Sequence, residues 1–314
     1  MERLRIAITG ASGFVGANLV RHFSKDNEVF ALSRNVSNWR LPPNINALKI
    51  DISDRSSVGK AIAEARPDVV LHCAVYGGYH FEDDPQKTIS TNILGALNVI
   101  DACKERSTVI INTGSSSEYG IKSAPMKETD STEPNTNYAM SKALITNLLH
   151  SGYTRAITLR LFSVYGYYEE KHRLIPHLLY SAIKGETATL SSKNNVRDFV
   201  FIDDVAHAYE LAVKKFEKLD NGTVFNVGSG RQTKIAEVVK NLDVKVKWAS
   251  GTRQKEPPRV WRADISKIKK ELGWEPQNSL RQGLEKTETW MRRNIIYYEN
   301  DENDKLARTK GNRN

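Results

Sequence analysis

Residues 4–16, LRIAITGASGFVG, decide the fold of this chain. Residues 4–9 form an apolar run typical of a buried strand, and Gly10, Gly13 and Gly16 follow it at a spacing of three. The apolar residues after the turn recur at helical spacing, so a strand, a glycine-rich turn and a helix follow one another. Glycines at such a turn let the backbone approach a pyrophosphate, which the amides at the helix N-terminus then bind. The segment therefore predicts a dinucleotide-binding βαβ unit.

The spacing G-x-x-G-x-x-G differs from the G-x-G-x-x-G of ordinary Rossmann dehydrogenases. It is not a P-loop either, because no Gly-Lys-Ser/Thr follows. A glycine turn without a ligand is the alternative, but the strand–turn–helix context favours binding. Ser12, Phe14 and Val15 complete the turn and the first helical turn, and we count them among the predicted cofactor contacts.

The alternation of strand and helix continues through the first half of the chain. Because both kinds of segment repeat at these lengths, we predict an α/β fold with a Rossmann-type, doubly wound parallel sheet. The predicted strands are residues 4–9, 28–33, 47–50, 68–73, 108–112 and 156–161. The predicted helices between them are residues 14–25, 55–65, 85–105 and 138–151.

The pattern becomes less regular after residue 162, which indicates a smaller C-terminal α/β substrate-binding domain. We predict helices at 174–184, 205–218 and 234–241, strands at 223–227 and 244–248, and a loop at 251–262. We assign residues 1–162 to the dinucleotide-binding domain, with 199–230 returning to it, and residues 163–198 and 231–298 to the substrate domain. Residues 299–314 are a polar tail.

Composition excludes several classes of protein. The 314 residues are 39% apolar and 26% charged, as in globular proteins, and Cys73 and Cys103 are too few for a disulfide framework or a four-cysteine zinc site. No apolar run reaches the roughly 18 residues of a membrane span, and no signal peptide is recognisable, so we expect a cytoplasmic protein without a membrane partner. The His residues lack ligand spacing, so we expect no metal. Asp203 and Asp204 are interpreted as a helix cap.

The net charge of +9 leaves anionic partners open. No zinc finger, RNP-type aromatic motif or basic helix accompanies it, so we do not expect nucleic acid. Anionic metabolites are the partners that the motifs favour.

The end of the second strand indicates which dinucleotide binds. An NAD site usually places a carboxylate there for the ribose hydroxyls, but this chain has Ser33 and Arg34. A guanidinium pairs well with a 2′-phosphate, so NADP is favoured and NAD remains the alternative. Asp51 and Ile52 follow the third strand, where a carboxylate can accept from the adenine amine.

Tyr138 and Lys142 lie one helical turn apart, so they share a face. An ammonium beside a phenol favours the phenolate and is expected to lower the pKa of Tyr138. Such a tyrosine exchanges a proton with a sugar hydroxyl or carbonyl while hydride moves to or from nicotinamide. The run 113–120 follows the fifth strand, and a serine hydroxyl at that strand end is placed to bond the reacting oxygen. Thr113 opens that run as a further predicted cofactor contact.

Together these motifs resemble the extended short-chain dehydrogenase/reductase family of nucleotide-sugar epimerases, dehydratases and reductases. The resemblance covers roughly residues 4–290 and implies an NAD(P)-dependent enzyme with Ser115, Tyr138 and Lys142 as catalytic residues. It also implies further cofactor contacts at Cys73, Ala74, Asn92, Phe162 and Val164.

On the substrate side, the resemblance implies that Arg197 and Arg259 bind a nucleoside diphosphate. Ser116 and Ser163 are further predicted substrate contacts, although most family members carry Asn at position 163. The resemblance also implies a homodimer, formed through a four-helix bundle from segments 85–105 and 138–151.

The residues after Ser115 narrow the reaction. The dehydratases of the family place Asp-Glu after their catalytic hydroxyl, where this chain has Ser116 and Ser117. Hydroxyls do not titrate near neutrality, so dehydration is disfavoured. Ser33 and Arg34 favour an NADPH-dependent 4-ketoreductase of a nucleoside-diphosphate deoxysugar, with an NAD-dependent 4-epimerase as the alternative. A non-catalytic dinucleotide-binding regulator is the third reading, and no G-x-S-x-G motif supports a serine hydrolase.

Overall fold

The structure is a computed structural model that describes residues 3–78, 82, 84–249 and 260–299. Within these residues the strands are β1 (Arg5–Thr9), β2 (Glu28–Ser33), β3 (Asn46–Lys49), β4 (Val69–His72), β5 (Val109–Ser115), β6 (Ala156–Leu161), β7 (Ser163–Tyr165), β8 (Thr187–Leu190), β9 (Val196–Arg197), β10 (Phe199–Phe201), β11 (Thr223–Val227), β12 (Thr233–Lys234) and β13 (Lys245–Trp248).

Ten α-helices are seen in the same residues. They are α1 (Phe14–Phe23), α2 (Arg55–Ala65), α3 (Pro85–Thr88), α4 (Ala96–Lys104), α5 (Asn137–His150), α6 (Leu174–Lys184), α7 (Ile202–Lys215), α8 (Ile235–Lys240), α9 (Ser266–Leu272) and α10 (Leu280–Arg293). A π-helical segment, Ile89–Gly95, joins α3 to α4, and 3₁₀ turns follow β5 at Ser116–Tyr119 and α7 at Phe216–Lys218.

The main sheet is parallel, with seven strands in the order β3-β2-β1-β4-β5-β6-β11 among the described residues. The direction in which strands are added reverses at β1, which pairs with β2 on one side and β4 on the other. Ligands of such sheets bind at the carboxyl ends of the strands beside this reversal. The predicted doubly wound α/β fold is confirmed, and the glycine turn lies at that position.

Both faces of the sheet are covered, as the continuous apolar strands predicted. In β1, Ile6 and Ile8 belong to one apolar cluster and Ala7 to the other. In β4, Leu71 and Val70 divide between the two clusters in the same way. Because successive side chains of a strand point to opposite faces, this division places a core on each side of the sheet.

The second half of the chain adds to both parts of the molecule. β11 pairs with β6 at the edge of the main sheet, and α7 packs against α1, where His22 Nε2 lies 2.8 Å from Glu210 Oε2. Three two-stranded sheets lie beside it: β7 with β10, β8 with β13, and β9 with β12. These small sheets surround a cleft next to the main sheet.

Several predicted boundaries differ from the structure. The predicted helix 85–105 is interrupted by the π-helical segment, and the predicted helix 205–218 begins at Ile202. α9 and α10 were not predicted. The interpretation of Asp204 as a helix cap is wrong, because its carboxylate accepts from the backbone amides of Gln277 and Asn278. Part of the predicted 251–262 loop and nearly all of the polar tail lie outside the described residues. Among the described helices, none has the length and apolar character of a membrane span.

Candidate active site

The glycine turn joins β1 to α1 as the sequence predicted. Gly10 has φ +65°, and a Cβ there would lie 2.7 Å from the backbone of Ala74. A Cβ at Gly16 would lie 2.3 Å from the carbonyl oxygen of Gly10, so only glycine permits this packing. Gly13 precedes α1 without any side chain capping the helix. The first amides of α1 are therefore available to an anion at the carboxyl end of β1.

Residues at the ends of β2 and β3 lie beside the glycine turn. Ser12 and Ser33 share a hydrogen bond of 2.5 Å between their hydroxyls, which joins the turn to the end of β2. Arg34 is exposed, and its charge contributes to lowering the pKa of Asp51, after the two hydrogen bonds from Ser53. The structure thus places a cation and a carboxylate at the ends of β2 and β3. Phe14 and Val15 are half-buried and pack against the main core.

The residues predicted after β3 and in the segment 85–105 meet each other. Ile52 is buried, and a Cβ at Gly95 would lie 2.8 Å from its side chain. The amide of Asn92 donates to the carbonyl of Tyr76 at 2.8 Å and to Ser141 Oγ at 2.9 Å, and its oxygen accepts from the Tyr76 amide at 2.7 Å. Asn92 therefore ties the loop after β4 to the residue next to Lys142.

The ends of β4 and β5 lie side by side behind the glycine turn. The amides of Cys73 and Ala74 donate to Thr9 Oγ1 at 3.2 and 3.3 Å. Thr113 Oγ1 lies 3.3 Å from Cys73 Sγ and 2.6 Å from the Tyr209 hydroxyl. Burial raises the pKa of the Cys73 thiol, so it is not a reactive thiolate.

The structure brings Ser115, Tyr138 and Lys142 together. Ser115 ends β5, and its hydroxyl is near enough to the Tyr138 phenol to act on the pKa of that group. Lys142 is buried on the same helix, α5, and its Nζ donates to the carbonyl of Thr113 at 2.7 Å. A hydroxyl, a phenol and an ammonium thus converge at the carboxyl end of β5, as the Ser-Tyr-Lys motif predicted.

The electrostatics of this group differ from the prediction. Burial is the largest cause acting on the pKa of Tyr138 and raises it, while the nearby Ser115 hydroxyl and the charge of Arg173 act to lower it. Burial lowers the pKa of Lys142 to about 8. The predicted lowering of the pKa of Tyr138 by Lys142 is therefore wrong for this chain. The ammonium is held by the Thr113 carbonyl, and the phenol is protonated at neutral pH.

The sequence did not reveal the ion pair between Glu118 and Arg160, which contacts the backbone of Ser115. Glu118 is fully buried, and its Oε2 accepts from Arg160 Nε at 2.8 Å. Its Oε1 accepts from the Ser115 amide at 2.7 Å, in a capping box around the 3₁₀ turn. The partners are 42 residues apart in the chain, so periodicity gives no signal of this contact.

Comparison with known proteins places this architecture in a family. The family model described as "NAD dependent epimerase/dehydratase family" matches residues 6–228, more than half of the chain. The chain belongs to this family. The resemblance to extended short-chain dehydrogenases/reductases and the expectation of an enzyme of that class are confirmed.

Individual relatives agree in length and in fold. The chain is 25% identical over 307 residues to a UDP-glucose 4-epimerase of Lactobacillus helveticus, covering 88% of this chain and 93% of the relative. It is 25% identical over 351 residues to a dTDP-glucose 4,6-dehydratase of Shigella flexneri, covering 95% of each. The structure of an epimerase from Methanothermobacter thermautotrophicus superimposes with a TM-score of 0.83 at 27% identity, covering 94% of both chains.

A cleft of about 360 Å³ lies between the small sheets and α6 in this member of the epimerase/dehydratase family. Ser163, Val164 and Arg197, all predicted site residues, line it. The amide of Ser163 donates to the carbonyl of Asp198 at 2.9 Å, which ties β7 to the strand end that carries Arg197. The Arg197 guanidinium lies 5.3 Å from the centre of the Trp261 ring.

Two further predicted residues, Ser116 and Phe162, are not among the described residues that line this cleft. Ser116 is buried in the 3₁₀ turn after Ser115. Phe162 is buried in a small apolar cluster with Tyr119, Met126 and Ala263. Arg259 lies outside the described residues.

Sequence reasoning missed Glu169 and Arg173, which also line the cleft. Glu169 is 3% exposed, and burial raises its pKa to about 8. Both residues belong to the loop 166–173, which carries no periodic pattern. A second cleft-like depression, lined by residues of the 36–47 loop, lies beside β3.

Proposed function

We propose that this protein is an NADPH-dependent 4-ketoreductase that acts on a nucleoside-diphosphate deoxysugar. The observation that carries the proposal is the end of β2, where Ser33 is buried against Ser12 and Arg34 is exposed. A carboxylate in this place favours the ribose hydroxyls of NAD, whereas a free guanidinium favours a 2′-phosphate. NADPH is the form that a reductase consumes.

The residues around the glycine turn and on α5 fit a nicotinamide dinucleotide. The uncapped N-terminus of α1 suits the pyrophosphate, Arg34 the 2′-phosphate, and Lys142 the nicotinamide ribose. When bound, the dinucleotide supplies the hydride. The protein contributes orientation and a proton.

The proton comes from Tyr138 in this proposal. Because its pKa is raised, the phenol is protonated at neutral pH and is set to act as an acid toward a keto oxygen. Ser115 lies beside the phenol at the end of β5, so its hydroxyl is placed to bond the same substrate oxygen. Lys142, with a pKa of about 8, is largely an ammonium at neutral pH and stabilises negative charge nearby.

The cleft supports a nucleoside-diphosphate substrate. Arg197 provides a guanidinium at one side of it, with geometry suited to a pyrophosphate. The curated relatives named above act, by their names, on UDP-glucose and dTDP-glucose. Both observations support a nucleoside-diphosphate sugar as the substrate class of this chain.

The family also contains dehydratases and 4-epimerases, and the residues after Ser115 bear on the first of these reactions. Ser117 shares a 2.7 Å hydrogen bond with Ser115, and Ser116 is buried, so no side chain there can transfer a proton for dehydration near neutral pH. A 4-epimerase uses the same Ser-Tyr-Lys group, and the similarity to a UDP-glucose 4-epimerase favours it as the second candidate.

The test separates the two candidates by their use of the cofactor. The dinucleotide that copurifies with the protein is released and identified, and NADPH oxidation is then followed with a panel of nucleoside-diphosphate 4-ketosugars. We expect stoichiometric NADPH oxidation, and a Tyr138→Phe variant to lose about 10²-fold or more in kcat. Tightly held NAD with no NADPH oxidation, and interconversion of 4-epimers, would instead establish the epimerase.

A further inference from the structure

The loop between β7 and α6 brings two charged side chains into the cleft. Glu169 Oε1 accepts from Arg173 Nε at 3.4 Å, four residues apart. The other carboxylate oxygen, Oε2, is buried without a hydrogen-bond partner among the described residues. The side chain of Arg173 is 44% exposed, so its guanidinium reaches from the buried carboxylate toward the cleft.

This loop is held in a strained conformation. Tyr168 has φ +66°, a value that costs a non-glycine residue free energy. Its carbonyl accepts from Arg40 Nε at 2.8 Å, and its ring centre lies 4.6 Å from the Arg21 guanidinium carbon and 4.6 Å from the Trp290 ring centre. Because these contacts hold Tyr168 in place, they also hold the backbone of the next residue, Glu169, whose side chain is buried.

Arg173 extends from this loop to the surroundings of Tyr138. Its Nη1 donates to the carbonyl of Gly78 at 3.2 Å. The adjacent Gly77 packs on the catalytic helix, because a Cβ there would lie 3.4 Å from Tyr138 Cβ. The guanidinium is thus anchored at one end by Glu169 and at the other by the loop that covers Tyr138.

We propose that Arg173 is a positioning residue for proton transfer, whose guanidinium stabilises the phenolate left on Tyr138 after its proton passes to the substrate oxygen, while Glu169 holds Arg173 in place. The proton moves from Tyr138 Oη to the keto oxygen, and the phenolate remains until it is reprotonated from solvent. The kinetic part of this inference rests on the proposed reductase function.

Charge and geometry together favour Arg173 for this role. Burial raises the pKa of Tyr138, and the charge of Arg173 acts in the opposite direction. The Lys142 ammonium donates to the Thr113 carbonyl. Among the described residues, the titratable or polar groups around Tyr138 and Arg173 include Ser115 of β5, Glu118 of the 3₁₀ turn, Lys142 of α5, Tyr209 of α7, Glu82 beside Gly77, and Glu169 and Glu170 of the loop.

The decisive measurement does not need turnover. Tyrosine labelled with ¹³C at Cζ reports phenol ionisation by NMR, and the signal absent from Tyr138→Phe identifies Tyr138. We expect Tyr138 to ionise at a higher pH in Arg173→Met than in the unsubstituted protein, and Arg173→Lys to restore most of the difference. Arg281→Met is the matched control, because it removes an exposed Arg–Glu pair with the same spacing of four residues on α10.

Steady-state kinetics provide a second test of the role of Arg173. If the protein reduces 4-ketosugars, we expect Arg173→Met to lower kcat at pH 7 about tenfold, with a smaller change in KM, because a weaker acid donates its proton less readily. The alkaline limb of the pH profile is expected to move to higher pH, since Tyr138 stays protonated longer.

Each arm has its own negative result. Equal phenolate fractions of Tyr138 in Arg173→Met and the unsubstituted protein at every pH would overturn the role of Arg173, whatever reaction is catalysed. A shift of equal size in Arg281→Met would overturn it as well. A shift in ionisation with no NADPH oxidation by any variant would leave Arg173 in its role and refute the reductase.

Discussion

At the residue scale, the proposed NADPH preference depends on Arg34. Its side chain is exposed at the end of β2, and its charge contributes to lowering the pKa of Asp51. We expect Arg34→Glu to raise the KM for NADPH about tenfold or more and to leave the KM for NADH much less changed, because a charge-assisted contact to the 2′-phosphate is replaced by repulsion. Steady-state kinetics with both cofactors measure this ratio.

Lys60→Glu is the control for Arg34→Glu. Lys60 is exposed on α2, and its substitution changes the net charge by the same amount. If both variants shift the NADPH/NADH preference equally, the effect is one of overall charge and Arg34 is not the phosphate ligand. A preference unchanged by Arg34→Glu would likewise contradict its role.

Sequence reasoning succeeded where the site is built from neighbours in the chain. The glycine turn follows its own strand, and Tyr138 and Lys142 are one helical turn apart, so local spacing fixes their relation. It failed for Arg173, whose role depends on the strained φ of Tyr168 and on contacts with Gly78, 95 residues away. It placed Tyr138 and Lys142 on one helix, α5, but could not show that the Thr113 carbonyl binds the ammonium.

At the scale of elements, the Glu118–Arg160 pair joins the turn after β5 to β6. Both side chains are almost fully buried, so removing one partner leaves an uncompensated charge in the interior. We expect Arg160→Met to lower the free energy of unfolding by about 3 kcal/mol or more. Denaturant unfolding followed by fluorescence and circular dichroism measures the change.

Arg281→Met again provides the comparison, because the Arg281–Glu285 pair is exposed on α10. Exposed pairs contribute roughly 0.2–1 kcal/mol. A double variant, Glu118→Gln with Arg160→Met, is expected to recover part of the loss, since no charge then remains buried. A cost for Arg160→Met no larger than that for Arg281→Met would show that the buried pair does not stabilise the turn.

The segment 85–105 shows why element boundaries escape sequence analysis. Its apolar spacing predicted one helix, but Ile89–Gly95 is π-helical. Within it, Asn92 bonds Tyr76 and Ser141, and Gly95 packs on Ile52. These partners come from three other parts of the chain. The π-helical turn therefore coincides with tertiary contacts, which the local sequence does not reveal.

At the scale of the whole molecule, the reversal of strand order at β1 gathers the site. The ends of β1, β4 and β5 bring the glycine turn, Cys73 and Ser115 to one edge of the sheet, and the second half of the chain adds the cleft with Arg197. The net charge of +9 is compatible with two pyrophosphate-bearing ligands at this edge. A polymer of nucleic acid is not needed to explain it.

The outer surface of α5 and of the neighbouring π-helical segment carries exposed apolar side chains. Tyr138 and Lys142 face the site, while Met140 and Leu144, one turn apart on the same helix, are 52% and 46% exposed. Ile89 and Leu94 of the neighbouring π-helical segment are 50% and 52% exposed. Contiguous apolar surface of this kind marks an interface, and we propose that a second copy of this chain covers it in a homodimer.

We expect the protein to elute with twice its mass of 35.4 kDa in size-exclusion chromatography with light scattering, and a Met140→Glu/Leu144→Glu variant to elute as a monomer. The reason is that two carboxylates cannot be buried unpaired at a dimer interface. Ile121→Glu is the control, because Ile121 is 50% exposed outside these helices. A monomeric unsubstituted protein, or a double variant that stays dimeric, would show that the helical surface is not the interface.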